Sequence, residues 1–88
     1  MNERFKKIFE DCQKERERQF DLPGSEWDHK NSPNDWVAKA AKYLVRNVGT
    51  GISKPSVEDF AEDLIKSMAV IIATLEHIPH MKDRNELQ

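Results

Sequence analysis

The segment from residue 56 to residue 78 most constrains what this chain can fold into. Apolar residues recur along it at helical spacing, at Val57, Phe60, Ala61, Leu64, Met68, Ile71, Leu75 and Ile78. Between Met68 and Leu75 nearly every residue is apolar, and a helix without a polar face is enclosed on all sides. Three short helices offer too little surface for that enclosure. The sequence therefore predicts an all-α protein that completes its core as a dimer or higher oligomer.

Two further helical patterns precede this segment. The first, over residues 3–20, has an apolar stripe in its first half and a charged stretch at residues 14–18. The second, over residues 33–48, follows Ser32 as N-cap, and Asp35 stands where a carboxylate reaches back to the cap. We expect Gly49-Thr50-Gly51 to end this second helix, because glycine accepts the left-handed backbone of a helix C-terminus.

The last helix has equally clear signals at its two ends. Ser56 is its predicted N-cap, with Asp59 in the capping-box position, and Pro79 is expected to end it. Residues 79–88 are predicted to be a frayed tail. Because no alternating pattern is long enough for a strand and 88 residues suit one domain, we predict a single helical domain over residues 1–88.

Composition excludes several classes of function. A formal net charge of −2 argues against general nucleic-acid binding, which needs a basic surface for the phosphates. Cys12 is the single cysteine, so neither an internal disulfide nor a cysteine-based zinc site is expected. The longest apolar run, residues 68–73, is too short to span a bilayer, and the charged first residues do not resemble a signal peptide. We expect a soluble, cytoplasmic protein.

The histidines and carboxylates give weak signals for catalysis or metal binding. His77 and His80 are spaced to ligate a metal, but histidines at a helix C-terminus are favoured by the helix dipole alone. No serine lies in a nucleophile motif. Four acids stand in the first turns of the last helix, where the dipole stabilises them: Glu58, Asp59, Glu62 and Asp63. We predict no metal site, no catalytic residue and no cofactor.

The second helix carries a basic stripe within AKAAKYLVRN, residues 38–47. Lys39, Lys42 and Arg46 recur at i, i+3 and i+7, so they share one helical face, and such side chains bind phosphate directly. Trp36 and Tyr43, also seven residues apart, could form an aromatic wall for a base. The alternative is an ordinary solvated face. Two loop residues join the candidate ligand-binding set, namely Trp27 and His29.

The run ERERQFDLPGSEWDHKNSPNDWVAKAAKYL, followed by EDFAEDLIKSMAVIIATLEHI, resembles the small MazG-like proteins of bacteriophages and prophages. The likeness spans about Glu15 to Ile78. It includes the E-R-x-R-Q-like end of the first helix, the tryptophan-containing loop and the Asp35-Trp36 pair. That family belongs to the all-α NTP pyrophosphatases. The resemblance implies helices packed as dimers or tetramers, with acidic residues that hold Mg²⁺ against a nucleoside triphosphate.

This chain departs from the family where the metal-binding acids would stand. Cations occupy three of those positions, at Lys42, Arg46 and Lys66, and two carboxylates remain, at Glu62 and Asp63. A divalent ion held by so few carboxylates against three positive charges is electrostatically unfavourable. The resemblance therefore supports the fold and opposes metal-dependent hydrolysis.

These observations predict a small protein that binds a nucleotide or phosphate without catalysis. The expected ligand-binding residues are Lys39, Lys42, Arg46, Lys66, Trp36, Tyr43, Trp27 and His29. Sequestration of a nucleotide signal of host defence would suit such a protein. One alternative is an interaction protein that inhibits or regulates a host protein through the charged residues 14–18. A second alternative is a residual Mg²⁺-dependent pyrophosphatase that uses Glu58, Glu62 and Asp63.

Overall fold

The computed structural model describes residues 2–46 and 56–84. Within these ranges the chain is helical and contains no strand, which confirms the predicted all-α class. The elements are α1 (Glu3–Phe20), a 3-10 helix (Ser25–Lys30), α2 (Pro33–Val45), α3 (Val57–Glu76) and α4 (Ile78–Asp83). None of the described helices is long and apolar enough to cross a membrane.

Each of the three long helices begins at a polar N-cap, and two of these caps, Ser32 and Ser56, are the predicted ones. At α1, Asn2 accepts a hydrogen bond from the Phe5 backbone N–H at 2.8 Å. At α2, the Ser32 hydroxyl accepts from the Asp35 N–H at 3.2 Å, and the Asp35 carboxylate accepts from the Ser32 N–H at 2.9 Å. This capping box lowers the pKa of Asp35, because the Ser32 hydrogen bonds favour the charged carboxylate. At α3, the Ser56 hydroxyl accepts from the Asp59 N–H at 3.0 Å.

The ends of the helices follow the predictions less closely. The described part of α2 ends at Val45, and both its predicted end at residue 48 and the glycines at 49–51 lie outside the described residues. The last long helix, α3, ends at Glu76, two residues before the predicted end. The His77 backbone N–H caps it by donating to the Ala73 carbonyl at 3.1 Å.

A short fourth helix, α4, covers the first half of the predicted frayed tail. Pro79 lies in the first turn of α4, where a missing N–H costs no hydrogen bond, so the residue expected to stop α3 helps to start α4. Met81 is only 1% exposed. Arg84, just after α4, donates to the His29 and Asn31 carbonyls, the latter at 2.6 Å. These tertiary contacts explain the difference, and residues 85–88 lie outside the described chain.

The core lies where α1 and α2 pack against α3. Its central cluster contains Trp36, Val70, Ala73 and Met81, and Ala40, Tyr43 and Ile78 pack against it. Cys12 is buried on α1, with its Sγ 3.9 Å from the Met68 sulfur, and burial raises the pKa of this thiol.

This core covers only part of the apolar surface. A stripe at helical spacing along α3 stays exposed, and α1 exposes three large apolar side chains near its start. We call these residues the exposed apolar stripe: Phe5, Ile8, Phe9, Phe60, Leu64, Met68, Ile71 and Leu75. The single chain therefore does not enclose α3 on all sides.

Candidate functional site

A cavity of about 340 Å³ opens between the end of α1, the 3-10 helix, α2 and α3. Its walls therefore come from parts of the chain that are distant in sequence. This volume is at the lower end of the range typical of small-molecule sites. Apolar side chains of the core, Val70 and Ala73, contribute to its lining together with Leu22 from the turn after α1.

Positive charge predominates in the lining of the cavity. Three cationic side chains line it, Arg16, Lys39 and Lys42, against one carboxylate, Asp28. The Lys39 Nζ lies 3.3 Å from an Asp28 carboxylate oxygen. Arg16 pairs with Glu76, with 3.0 Å between its Nε and a carboxylate oxygen. Among the ion pairs of the described residues, none includes Lys42. Lys42 therefore brings a charge to the cavity that no described carboxylate balances.

Trp36 lines the cavity as a buried residue, and its ring already has two partners. It is 3% exposed and stacks on the His77 ring, with 5.3 Å between centroids and 24° between the planes. The Lys39 ammonium lies 5.1 Å from its ring centroid. At 3% exposure, the ring offers almost no free surface on which a nucleobase could stack. The aromatic wall expected from the spacing of Trp36 and Tyr43 is therefore not open on the tryptophan side.

The indole N–H of Trp36 is an unsatisfied donor. Its Nε1 is buried and has no hydrogen-bond partner among the described residues. A buried donor without an acceptor costs free energy, so such groups are rare in folded proteins.

Tyr43 is half-buried and also lines the cavity. The Arg46 guanidinium lies 5.4 Å from its ring centroid. The tyrosine thus contributes an aromatic surface that is more accessible than that of Trp36.

Arg46 and Lys66 do not line the cavity. Arg46 donates a hydrogen bond to the carboxylate of Asp63, a residue only 4% exposed. Lys66 pairs with Glu62 one turn earlier on α3, with 2.8 Å between Nζ and a carboxylate oxygen. Two of the cations predicted to meet a ligand therefore neutralise neighbouring acids instead.

The 3-10 helix places Trp27 and His29 outside the cavity lining. Trp27 is 57% exposed, and the Lys30 ammonium lies 4.6 Å from its ring centroid. His29 is exposed, with its Nδ1 3.1 Å from the Glu26 carbonyl. Of the eight predicted ligand-binding residues, the cavity brings together Lys39, Lys42, Trp36 and Tyr43.

Two charged lining residues were not predicted as site residues, Arg16 and Asp28. The polar second half of α1 contained a signal, because Arg16 pairs with Glu76 of α3 and Gln19 also contacts α3. The Gln19 amide donates to the Lys66 carbonyl at 3.1 Å and to Glu15 at 3.2 Å.

Arg18 also binds Glu15, at 2.6 Å, and this hydrogen bond lowers the pKa of the Glu15 carboxyl.

The described residues contain no cluster of three histidine, cysteine, aspartate or glutamate side chains that could hold a metal ion. Comparisons with protein-family models, curated proteins and solved structures found no match to this chain. The geometry and charge of the cavity are therefore the basis for a functional proposal.

Proposed function

We propose that this protein binds a small phosphate-bearing molecule, such as a nucleotide, in the cavity and does not hydrolyse it. The observation that carries the proposal is the charge of the lining, where Lys42 stands unpaired among the described residues beside Lys39 and Arg16. Ammonium and guanidinium groups bind phosphate oxygens by charge-assisted hydrogen bonds, which are stronger in a partly enclosed site than in bulk water.

The form of the cavity favours a compact ligand. The apolar lining from Leu22, Val70 and Ala73 suits a ring or sugar edge, and Tyr43 offers an aromatic surface. Sequestration of a nucleotide signal remains the biological role that we propose for such binding.

The pairing of the acids favours binding over hydrolysis. Mg²⁺ in nucleotide-hydrolysing sites is held by one or two carboxylates together with the substrate phosphates. Here Asp63 binds Arg46 and Glu62 binds Lys66, so each carboxylate already has a cationic partner. The resemblance to MazG-like proteins implies an all-α fold, and Lys42 in the cavity favours a direct contact with phosphate over a metal-mediated one.

Isothermal titration without Mg²⁺ tests the proposal. Inorganic phosphate, mononucleotides and cyclic nucleotides would be titrated into wild-type protein, Lys42→Glu and Lys14→Glu. Lys14 is an exposed cation on α1 that does not line the cavity, so its replacement makes the same charge change elsewhere. We expect Lys42→Glu to weaken binding at least tenfold and Lys14→Glu to change it less than twofold. An equal loss of affinity in the two variants, or no binding of any ligand, would refute a phosphate-binding site in the cavity.

A second proposal concerns the exposed apolar stripe, which we propose to be covered by a second copy of this chain. Apolar side chains exposed at helical spacing are typical of a helix that packs against a partner, and a domain of 88 residues gains stability by burying them. Light scattering coupled to size exclusion should show a dimer or higher oligomer. Ile71→Lys should lower the mass, whereas Val37→Lys, at an exposed apolar residue of α2, should not. A wild-type monomer would instead favour a different partner protein on this surface.

A further inference from the structure

A contact between two histidines joins the end of α3 to α4. The Nδ1 atoms of His77 and His80 lie 2.9 Å apart and the ring centroids 5.0 Å apart, so the two rings meet in a head-on hydrogen bond. His77 follows the last residue of α3, and its ring stacks on Trp36. His80 lies on α4, next to the buried Met81. The bond therefore connects a ring that packs against the core with the helix that carries Met81 into it.

The number of protons on the pair decides whether this bond can form. A neutral imidazole has one N–H donor and one acceptor nitrogen, whereas an imidazolium has two donors and no acceptor. One Nδ1 must accept, so the bond forms when both rings are neutral or when one of them is protonated. When both rings are protonated, two N–H groups and two positive charges face each other across this contact. The second proton therefore replaces an attraction with a repulsion.

His77 is the ring whose surroundings oppose a proton. It is half-buried, and this burial is the largest cause that holds the pKa of His77 below its usual value near 6.5. The neighbouring His80 lowers the pKa of His77 further. His80 itself is exposed, so water can hydrate its charge. As the pH falls, we therefore expect His77 to take up the second proton of the pair.

Charged groups of the neighbouring elements also act on His77. Asp28 of the 3-10 helix and Glu76 of α3 raise its pKa, but both acids have cationic partners. Asp28 pairs with Lys39 of α2 at 3.3 Å. Glu76 pairs with Arg16 of α1 at 3.0 Å, and Arg16 lowers the pKa of His77. Further titratable or charged groups nearby belong to the 3-10 helix and to the last described residues, namely His29, Lys82, Asp83 and Arg84.

We propose that the His77–His80 pair makes the docking of α4 against the core sensitive to pH. The helix is docked while at most one of the two rings is protonated, and it is released when both are. Once His80 has moved away, the pKa of His77 returns towards its usual value, so the released state binds more protons than the docked state below about pH 6.5. Docking therefore weakens as the pH falls from about 6.5 through the lower pKa of the docked state.

Release of α4 has a consequence for the cavity. Met81 packs in one cluster with Trp36, Val70 and Ala73, and these three residues also line the cavity. Withdrawal of Met81 therefore removes a packing partner from three lining residues at once. The proposal itself concerns α4 and does not depend on which ligand the cavity binds.

Amide hydrogen exchange at a series of pH values from 7.5 to 4.5 tests the proposal. Protection factors, which correct for the intrinsic effect of pH on exchange, would be compared between residues 80–83 and residues 67–73 of α3. In the wild type, protection in residues 80–83 should fall about fivefold relative to α3, as expected when one hydrogen bond is lost. His80→Gln cannot take up the second charge, so its relative fall should be less than twofold. Because His80 is exposed, this variant should fold, and circular dichroism checks that it does.

His29→Gln is the matched control. It removes an imidazole whose ring centroid is 6.1 Å from that of His80, but it leaves the pair intact, so the relative fall should stay at least threefold. Nitrogen-15 spectra of the imidazoles should show His77 gaining its proton over the same pH range. An equal fall in His80→Gln, loss of the fall in His29→Gln, or a fall in the wild type while His77 is still neutral would overturn the proposal. No relative fall in the wild type would overturn it as well.

Discussion

Asp63 shows what a single buried charge requires from its surroundings. Asp63 is 4% exposed, and Arg46, just after α2, donates a hydrogen bond to its carboxylate. Arg46→Met should destabilise the protein by about 1–3 kcal/mol, because a buried carboxylate then loses a charged partner and only part of that loss is screened by solvent. Urea unfolding measures the change. The double variant Arg46→Met, Asp63→Asn should recover part of it, and a double variant as unstable as the sum of the singles would contradict this explanation.

Glu15 makes stability depend on pH. Hydrogen bonding from Arg18, with smaller help from Gln19, lowers the pKa of Glu15 in the folded state below its usual value near 4.5. A lowered folded-state pKa contributes stability that is present above about pH 4.5 and is lost as the pH falls through the folded-state value. The urea midpoint should therefore fall from pH 6 to pH 3, and less steeply in Glu15→Gln. Identical slopes in the two proteins would show that Glu15 does not contribute.

The sequence predicts where the long helices start, but it does not predict the short last helix, α4. Ser32 and Ser56 each accept a hydrogen bond from a backbone N–H three residues away. A short local pattern is therefore enough to predict where a helix starts. The fourth helix depends on Met81 in the core and on Arg84 reaching residues more than fifty positions earlier. No local pattern contains such contacts, which is why Pro79 predicts an end of α3 without predicting the turn of helix that follows.

Met81 provides a test of that explanation for α4. Met81→Ala should cost about 2–4 kcal/mol, since it removes a buried side chain from the cluster around Trp36. Amide hydrogen exchange in residues 78–83 should be faster in Met81→Ala than in the wild type. Lys82→Ala, at the exposed neighbouring position, should stay within about 0.5 kcal/mol of wild type. Unchanged exchange in Met81→Ala would mean that α4 is held by its ends alone.

At the scale of the whole molecule, the sequence predicts only those residues of the candidate site that a single helix supplies. The spacing of Lys39, Lys42 and Tyr43 places them on neighbouring positions of α2, and all three line the cavity. The same spacing includes Arg46, but it does not show that Asp63 of α3 lies opposite. Arg16 comes from α1 and Asp28 from the 3-10 helix, and the packing of the chain brings both to the cavity. The residues that pack against a helical face depend on the tertiary structure. The pattern of one helix does not contain that information.

Because the walls of the cavity come from α1, the 3-10 helix, α2 and α3, a bound ligand should stabilise the whole fold. A ligand that binds only the folded state, at a hundred times its dissociation constant, adds about 2.7 kcal/mol to the free energy of unfolding. The melting temperature should therefore rise with the concentration of the phosphate-bearing ligand that titration identifies. The rise should shrink as NaCl increases, since screening weakens the contact with Lys42, and Lys42→Glu should abolish most of it. A rise of equal size in Lys42→Glu would mean that the anion stabilises the protein through its general surface charge, and the phosphate site would have to be sought elsewhere.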